Sequence, residues 1–394
     1  MRRVYLDHAA TTPVDAAVLA AMTPYFTEKF GNANSVHGFG GEASLAVDTA
    51  RRTVAALLGA QPEEIYFTSG GTEADNWAVK GTAYAKREKG RHIVVSSIEH
   101  AAVLESCAQL EKEGFTVTYL PVNDKGLVSP SDVAAAMRGD TVLVSVMLAN
   151  NEVGTIQPVR EIAEIAHRCG VLMHTDAVQA IGSIPVSVTE LGADLLTLSA
   201  HKFYGPKGVG ALYIRRGVKP EKWIAGGFQE RAMRGGTTNV AGIVGMATAM
   251  ELAVKNLTEN AAKVRALRDD FVAKVEEEIP FAVYNGDRKK RLPQNADFSF
   301  VGIGSEQLLF QLDLNGIACS SGSACSSGSI EPSHVLLAMG IEPSLAKGSV
   351  RFTFGKSNTR QDVEYTVCKL KEAVEKLCGA QTLFAQCSVQ TKSV

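Results

Sequence analysis

The sequence lacks the features that mark membrane, secreted and nucleic-acid-binding proteins. No apolar run in its 394 residues approaches the length of a membrane span, and the N-terminus, MRRVYLDHAATTP, has no apolar core of signal-peptide length. Basic residues do not outnumber acidic ones, with 40 Lys and Arg against 42 Asp and Glu. This balance favours neither nucleic acid nor an anionic membrane as a direct partner. Because the sequence shows no targeting signal, we expect a cytoplasmic protein.

Cysteine is sparse, and its spacing shows no pairing. The seven cysteines are Cys107, Cys169, Cys319, Cys325, Cys368, Cys378 and Cys387. Their number is odd and no two have CxxC spacing, which excludes a disulfide framework. We expect a single reactive thiol among them. The sequence also contains no internal repeat and no low-complexity segment.

The pattern of apolar runs predicts an α/β fold. Strands are predicted over 64–68, 92–97, 116–120, 141–148, 171–176 and 195–198, with helices between most of them. Apolar β-branched strands separated by helices indicate a mostly parallel sheet covered on both faces, with ligands at the strand ends. After residue 237 the pattern changes to two long helices and then short strands. We predict an N-terminal arm over 1–12, a large domain over 13–260, a small α+β domain over 261–378 and a mobile tail over 379–394.

Lys202 is the central candidate for chemistry. It follows the buried strand 195–198, directly after Ser199-Ala200-His201, and the turn GPKG leads into a second apolar run. An amine at such a strand end can have its pKa lowered by burial and nearby cations, and then attack carbonyls. Taken in isolation, Lys202 is better explained as an ordinary loop lysine.

Three further strand ends carry polar groups that suit one phosphate-bearing, ring-shaped cofactor. Ser69-Gly70-Gly71-Thr72 opens a helix whose free N–H groups suit a phosphate, although a simple helix cap explains this stretch better when it is taken alone. His100 could stack on a ring or be a satisfied strand-end histidine. Asp176 needs a cationic partner, which a pyridinium nitrogen or an arginine would provide. The complete set, in this order on one sheet, favours a lysine-bound pyridoxal phosphate.

These stretches resemble the cysteine desulfurases, pyridoxal-phosphate enzymes of fold type I in the class V aminotransferase family. The matching motifs are YLDHAATTP (5–13), SGGTEADN (69–76), EH (99–100), ANNEVGTIQP (149–158), HTDAVQA (174–180), SAHKFYGPKGVG (199–210) and SSGSACSSGSIEPSHVL (320–336). The resemblance covers almost all of the chain up to about residue 377. It implies a large domain with a mostly parallel seven-stranded sheet, plus a smaller α+β domain.

The resemblance also implies roles for individual residues. Lys202 would bind the cofactor covalently and move protons at the substrate Cα, and His100 would stack on the ring and take part in proton transfer as a catalytic residue. The other cofactor contacts would come from Gly71, Thr72, Asn151, Asp176, Gln179, Ser199, His201 and Thr237. Among these, Asp176 would pair with the ring nitrogen, and Gln179 would contact the ring hydroxyl. Thr237 would reach the phosphate of the other subunit, so a homodimer is implied.

Substrate binding is assigned in the same way. Asn151 and Arg351 would bind L-cysteine, with Arg351 gripping its carboxylate as a two-pronged donor.

Cys325 is the candidate sulfur carrier. It lies among serines and glycines over 320–329, a composition that cannot form a core and predicts a flexible loop. The resemblance implies that its thiolate takes the substrate sulfur as a persulfide, releases L-alanine and delivers the sulfur to an iron–sulfur scaffold protein or another acceptor. No resident metal site is expected, apart from transient ligation of a partner's iron–sulfur cluster by Cys325. Cys319, in the apolar GIAC segment, is interpreted as packing.

Some alternatives remain open. The same cofactor would serve a selenocysteine lyase, a β-lyase or an aminotransferase, and a sulfur-relay scaffold without catalysis is a third possibility. The longer Ser/Gly loop is typical of the branch tied to iron–sulfur assembly, but a role in tRNA thiolation is compatible with it. The chain departs from many relatives at Phe228 and Ala232, where they carry glycine.

Overall fold

A computed structural model describes residues 2–322 and 331–390, with side chains as far as residue 379. The strands are β1 Val4–Tyr5, β2 Ile65–Thr68, β3 His92–Ser96, β4 Thr116–Leu120, β5 Thr141–Ser145, β6 Leu172–Asp176, β7 Leu195–Ser199, β8 Gly210–Ile214, β9 Ala282–Tyr284, β10 Asn295–Phe300, β11 Ile317–Ala318 and β12 Ser349–Thr353.

The helices fall into two groups. Those before residue 240 are α1 Ala16–Met22, α2 Pro24–Thr27, α3 Gly38–Leu58, α4 Gly71–Asn76, α5 Thr82–Lys86, α6 Ala101–Lys112, α7 Pro130–Ala136, α8 Val159–Arg168 and α9 Val188–Leu191. Those after it are α10 Val240–Lys255, α11 Leu257–Glu278, α12 Ser305–Leu314, α13 His334–Ala338, α14 Pro343–Ala346 and α15 Arg360–Gln390.

The central element is a seven-stranded sheet with the order β2-β8-β7-β6-β5-β3-β4. All neighbouring pairs are parallel except those made by β8, which runs antiparallel to both β2 and β7. Alternate strand residues enter different hydrophobic clusters, Leu196 on one face and Leu195 on the other. Both faces are therefore covered by helices, as the near-continuous apolar strands predict.

A second hydrophobic cluster surrounds the three-stranded sheet β12-β10-β9. Phe271 of α11 lies at its centre, with its ring centroid 4.9 Å from that of Phe352 and 5.5 Å from that of Phe354. The N-terminal arm joins this cluster, because β1 pairs in parallel with β11 and Leu6 is fully buried. These separate clusters support the predicted two-domain division, whose boundary near residue 260 stays a prediction.

Two helices differ from the sequence expectation. The helix expected between the strands predicted over 64–68 and 92–97 contains a π-helical segment, Trp77–Gly81, between α4 and α5. A Cβ atom at Gly81 would lie 2.8 Å from the Trp77 ring, so the widened turn and the glycine together make room for this buried indole. At the C-terminus, α15 continues to Gln390 through most of the segment predicted as a mobile tail. Gly379 does not stop the helix, since no proline follows it.

In the part of the chain that the structure describes, no single helix is long and apolar enough to cross a membrane. The pair α10 and α11 passes that length and composition test together, with a bend of 72° at its break.

Candidate active site

Lys202 lies where β7 ends. The strand is buried along its whole length, and a short 3-10 turn over Ala200–Lys202 follows it directly. The Nζ atom donates hydrogen bonds to two backbone oxygens of the N-terminal arm, Ala9 O at 2.6 Å and Ala10 O at 2.8 Å. The amine is therefore fixed in position at the carboxyl edge of the sheet.

Asp176 ends β6, the strand beside β7. Asp176 pairs with Thr197 in the parallel ladder between β6 and β7, and its carboxylate accepts a hydrogen bond from Val178 N at 2.8 Å. Burial raises the pKa of Asp176, while the nearby charges of His100 and Lys202 oppose that rise. A buried acid in this state is stabilised by a cationic group, and a pyridinium nitrogen has the required charge.

Gln179 lies three residues after Asp176 and contacts the N-terminal arm. Its side-chain amide donates to Ala9 O at 2.9 Å, the same oxygen that accepts from Lys202. Gln179 and Lys202 also line one cavity of about 240 Å³, together with His8, Thr12 and other residues. The structure therefore places Lys202 and Gln179 at one cavity, with Asp176 at the end of the neighbouring strand.

Two further acids are buried in the same region. Burial raises the pKa of Asp75 well above its usual value, and the neighbouring carboxylate of Asp176 adds to the shift. Glu99 accepts hydrogen bonds from Ser96 Oγ at 2.6 Å and from Met147 N at 2.7 Å, and burial raises its pKa to about 8. Burial thus favours the neutral form of both acids, whereas at Asp176 the charges of His100 and Lys202 oppose that effect.

His174, two residues before Asp176, completes this buried layer. Its ring nitrogens face Ser145 Oγ at 2.8 Å and Thr197 Oγ1 at 3.1 Å, and its Nε2 is 3.6 Å from a carboxylate oxygen of Asp75. Burial lowers the pKa of His174 to about 3, so the imidazole is neutral.

His100 is placed at the start of α6. It is the N-cap residue, and its Nδ1 atom accepts a hydrogen bond from Ala102 N at 3.1 Å. The ring is half-buried, and its charge acts on the pKa of Asp176. A role in ring stacking stays a prediction.

The residues predicted to hold the phosphate surround the first residue of β8. Gly210 pairs with Thr68 on one side and with Ser199 on the other, so the ends of β2 and β7 meet beside it. A Cβ atom at Gly210 would lie 2.6 Å from Leu198 O and 2.8 Å from Gly70 Cα. Only glycine permits this close approach of the two chain segments.

Gly71 and Thr72 begin α4 beside this point. A Cβ atom at Gly71 would lie 2.9 Å from a methyl group of Val178 and 3.5 Å from Ser199 Cβ. The start of α4, Ser199 and the stretch after Asp176 therefore form one concave surface lined by small residues. Backbone N–H groups at a helix start suit an anion, so this surface fits a phosphate.

His201 is tied to the arm. Its Nδ1 atom lies 3.1 Å from Thr11 Oγ1, and its carbonyl accepts from both the amide and the hydroxyl of Thr12 at 2.9 Å. Burial lowers the pKa of His201 to about 4, and the charges of Lys202 and Lys207 add to this effect. A neutral imidazole at this place contacts its neighbours through hydrogen bonds and not through a charge.

Thr237 lies apart from Lys202 within this chain. It is exposed, and it lines a smaller cavity with Ser69 and Arg234. Arg234 forms two hydrogen bonds, at 2.8 and 3.0 Å, with the carboxylate of Glu73, which also accepts from Ser69 N. The segment that carries Thr237 is thus attached to the start of α4. Its contact with a second subunit stays a prediction.

The segment before Thr237 has an unusual backbone. Glu230, Arg231 and Ala232 have φ angles of 45°, 56° and 63°, in the left-handed region that favours glycine. The Glu230 carboxylate holds this conformation by pairing with Arg51 at 2.8 Å and accepting from Phe67 N at 2.9 Å. The sequence departure at Ala232 therefore coincides with a backbone position where glycine is the least strained residue.

Arg351 contacts Asn151, but at the backbone oxygen of Asn151 and not at its side chain. Arg351 Nη1 donates to the backbone oxygen of Asn151 at 2.9 Å, and Nη2 pairs with Asp7 Oδ1 at 3.0 Å. The sequence did not indicate Asp7 as a partner of Arg351, because 344 residues separate them.

The candidate sulfur carrier Cys325 lies outside the described residues. Cys319 precedes that segment and packs against the second hydrophobic cluster. Burial raises the pKa of the Cys319 thiol, which disfavours the reactive thiolate and agrees with a packing role. Within the described ranges, no group of three or more His, Cys, Asp or Glu side chains could hold a metal ion.

The functional element that sequence reasoning missed is the arm segment from Asp7 to Thr12. Its atoms contact Lys202, Gln179, His201 and Arg351. The available signal was the motif LDHAATTP, which places a carboxylate and two hydroxyls on a short extended arm. That signal identifies polar groups but does not indicate which distant residues they meet.

Comparison with known proteins defines the family. The model of the aminotransferase class-V family matches residues 4–366. The chain belongs to this family. A family member from Dictyoglomus turgidum named cysteine desulfurase IscS is 53% identical over 376 residues, which cover 95% of each chain. A protein of the same name from Methanosarcina thermophila is 51% identical and covers 95% of this chain and 93% of its own.

Solved structures of the family agree. A NifS-like protein superimposes with a TM-score of 0.90 at 43% identity, covering 95% of this chain and all 100% of its own. A structure of SspA in complex with cysteine gives a TM-score of 0.80 at 35% identity, covering 90% of this chain and 100% of its own. The fold class, the family resemblance and the pyridoxal-phosphate cofactor predicted from the sequence are confirmed. The individual site assignments stay proposals.

Glu99 gives this site a measurable pH dependence. Its pKa rises from 4.5 in water to about 8 in the folded chain, so folding takes up a proton between these values. The stability that the protonated acid contributes is complete below pH 4.5 and is lost as the pH rises to about 8. We expect the free energy of unfolding of the wild type, relative to Glu99→Gln, to fall by about 1 kcal/mol or more between pH 5 and pH 8.

Denaturant titration of the purified holoenzymes at both pH values measures this difference. The exposed variant Glu251→Gln is the matched control, because its carboxylate stays in water in both the folded and the unfolded state. If the free energies of unfolding of the wild type and of Glu99→Gln change in parallel with pH, Glu99 is ionised in the folded chain across this range. That result would contradict the prediction.

Proposed function

We propose that this chain is a pyridoxal-phosphate-dependent cysteine desulfurase that converts L-cysteine to L-alanine and transfers the sulfur to Cys325. The observation that carries this proposal is the meeting of Lys202 and Asp176 at the ends of adjacent strands. An amine that can bind the cofactor thus lies on the same sheet edge as an acid that can balance its ring nitrogen. Relatives named cysteine desulfurase, about half identical to this chain, support the reaction.

The chain's own residues would divide the work as follows. Lys202 holds the cofactor and moves a proton at the substrate Cα, while Asp176 balances the charge on the ring nitrogen. Gly71, Thr72, Ser199 and His201 hold the phosphate, Gln179 faces the ring hydroxyl, and His100 covers the ring. Bound there, pyridoxal phosphate supplies an electron sink for bonds at the substrate Cα.

Sulfur transfer then needs only one thiol. The Cys325 thiolate attacks the substrate sulfur, so that a sulfur–sulfur bond forms as the bond between carbon and sulfur breaks, and the carbon gains a proton. The products are L-alanine and a Cys325 persulfide, and the overall change uses no external oxidant or reductant. An iron–sulfur scaffold protein or another sulfur acceptor then takes up the persulfide sulfur. Cytoplasmic location and tRNA thiolation stay predictions.

Replacing Cys325 by Ala tests this function. After incubation with L-cysteine, we expect the wild type to gain one sulfur atom on the peptide that contains Cys325, and to release alanine. Cys325→Ala should gain no sulfur, and its rate of alanine formation should fall at least 100-fold, because the nucleophile is absent. Peptide mass mapping and amino-acid analysis measure both products.

Cys319→Ala is the matched control, since this cysteine is six residues away and is packed against the core. It should keep the persulfide and the alanine production. Undiminished alanine release by Cys325→Ala would contradict the persulfide route and favour the selenocysteine lyase alternative. A β-lyase or an aminotransferase would instead form a keto acid in place of alanine.

We also propose a homodimer, supported by apolar side chains that this chain leaves exposed. They are Leu19, Phe26, Phe30, Val36, Phe39, Leu45 and Phe228. Phe30 and Phe39 stack with ring centroids 5.7 Å apart, and Phe228 lines one groove with Ala33 and Arg51. Contiguous exposed apolar groups of this kind mark protein interfaces. A partner seated here would bring its chain to the segment that carries Thr237.

Phe30→Asp tests the dimer, because a carboxylate buried in an apolar interface is costly. We expect the wild type to sediment as a dimer at micromolar concentration and Phe30→Asp to shift mostly to monomer. Phe310→Asp changes an equally exposed phenylalanine on α12 and should remain dimeric. A monomeric wild type, or a Phe30→Asp variant that dimerises normally, would refute this interface.

A further inference from the structure

The guanidinium of Arg351 is buried and has a defined set of hydrogen-bond partners. Its side chain is 4% exposed, and β12, which carries it, pairs with β10. Of the five N–H donors of an arginine, one on Nη1 is used by Asn151 O and one on Nη2 by Asp7 Oδ1. The Nε atom is buried, and it has no hydrogen-bond partner among the residues that the structure describes.

Asp7 is held from both sides. While Oδ1 binds Arg351 at 3.0 Å, Oδ2 accepts a hydrogen bond from Ser320 Oγ at 2.9 Å. Ser320 and Arg351 are also joined through their backbones, with Arg351 N donating to Ser320 O at 2.6 Å and Ser320 N donating to Arg351 O at 3.3 Å. The carboxylate is therefore fixed within a closed set of contacts.

The same arm segment fixes the amine of Lys202. Two and three residues beyond Asp7, the oxygens of Ala9 and Ala10 accept the hydrogen bonds of Lys202. One short extended stretch thus sets the positions of both the candidate substrate-binding arginine and the cofactor-binding lysine. A displacement of about 1 Å between such groups is enough to weaken catalysis substantially.

We propose that Asp7 is a positioning residue that holds Arg351 ready to bind the substrate's α-carboxylate. This inference rests on the proposed function. A buried guanidinium is stable only when it is paired, and one fixed carboxylate provides that pairing before substrate arrives. Within the described part of the chain, Asp7 and Asn151 O use two of the five donors, which leaves three. A carboxylate binds an arginine through two parallel N–H donors.

The test compares L-cysteine with cysteamine, which has the same amine and thiol but no carboxylate. Binding of each to purified holoenzyme is followed by the change in cofactor absorption, independently of turnover. In Asp7→Asn, the affinity for L-cysteine should fall at least tenfold, because the charge that fixes Arg351 is lost. The affinity for cysteamine should stay within twofold of the wild type. In turnover, KM for L-cysteine should rise with kcat changed much less.

Arg2→Gln is the matched control. It breaks another ion pair of the same arm, Arg2 with Asp362 at 2.7 Å, which does not involve Arg351. Binding of both compounds should be unchanged in this variant. Asp7→Glu, which keeps the charge, should recover part of the preference for L-cysteine.

The other outcomes are decisive as well. Equal losses for L-cysteine and cysteamine would show that Asp7 merely supports the fold, and an unchanged or tighter affinity for L-cysteine would show that it competes with substrate. Either result overturns the inference. Failure of the wild type to form alanine from L-cysteine would instead refute the proposed function.

Discussion

The site depends on one interaction, the attachment of the Lys202 ammonium to two carbonyl oxygens of the N-terminal arm. Those hydrogen bonds, at 2.6 and 2.8 Å, connect the end of a buried strand to a segment about 190 residues away in sequence. The arm is in turn held by β1, which pairs with β11 next to the second hydrophobic cluster. The position of the amine is therefore determined jointly by the sheet and by the packing of the arm.

Burial decides the charge state around that amine. Burial raises the pKa values of Asp75 and Glu99 and lowers that of His174, so that it favours the neutral form of each. Asp176 lies among them but also feels the charges of Lys202 and His100. Because burial suppresses the neighbouring charges, the carboxylate of Asp176 can interact strongly with a cationic ring nitrogen. The cofactor is thus matched by electrostatics as well as by shape.

Much of this could be predicted from the sequence because parallel strands end at one sheet edge. Lys202, Asp176 and Ser199 come directly after apolar runs, so strand prediction alone brings them together. Gly71 and Gly210 were part of recognisable motifs, and their role in close backbone approach follows from the absence of a side chain.

Other features could not be read from local pattern. The contacts of Asp7 with Arg351 and of Ala9 with Lys202 join residues far apart in the chain, and no periodicity encodes such pairs. The π-helical segment at Trp77 and the left-handed run over residues 230–232 arise from packing and ion pairing rather than from local preference. The continuation of α15 past Gly379 likewise opposes the helix-ending tendency of glycine.

The most direct measurement of whether Lys202 carries the cofactor is borohydride reduction of the holoenzyme, followed by peptide mass mapping. Reduction makes an amine-linked cofactor permanent, so its position survives digestion. We expect the added mass on the peptide that contains Lys202 in the wild type, and on no peptide in Lys202→Ala. A cofactor mass on a different lysine, or an unmodified wild type that was saturated with pyridoxal phosphate, would contradict the site described here.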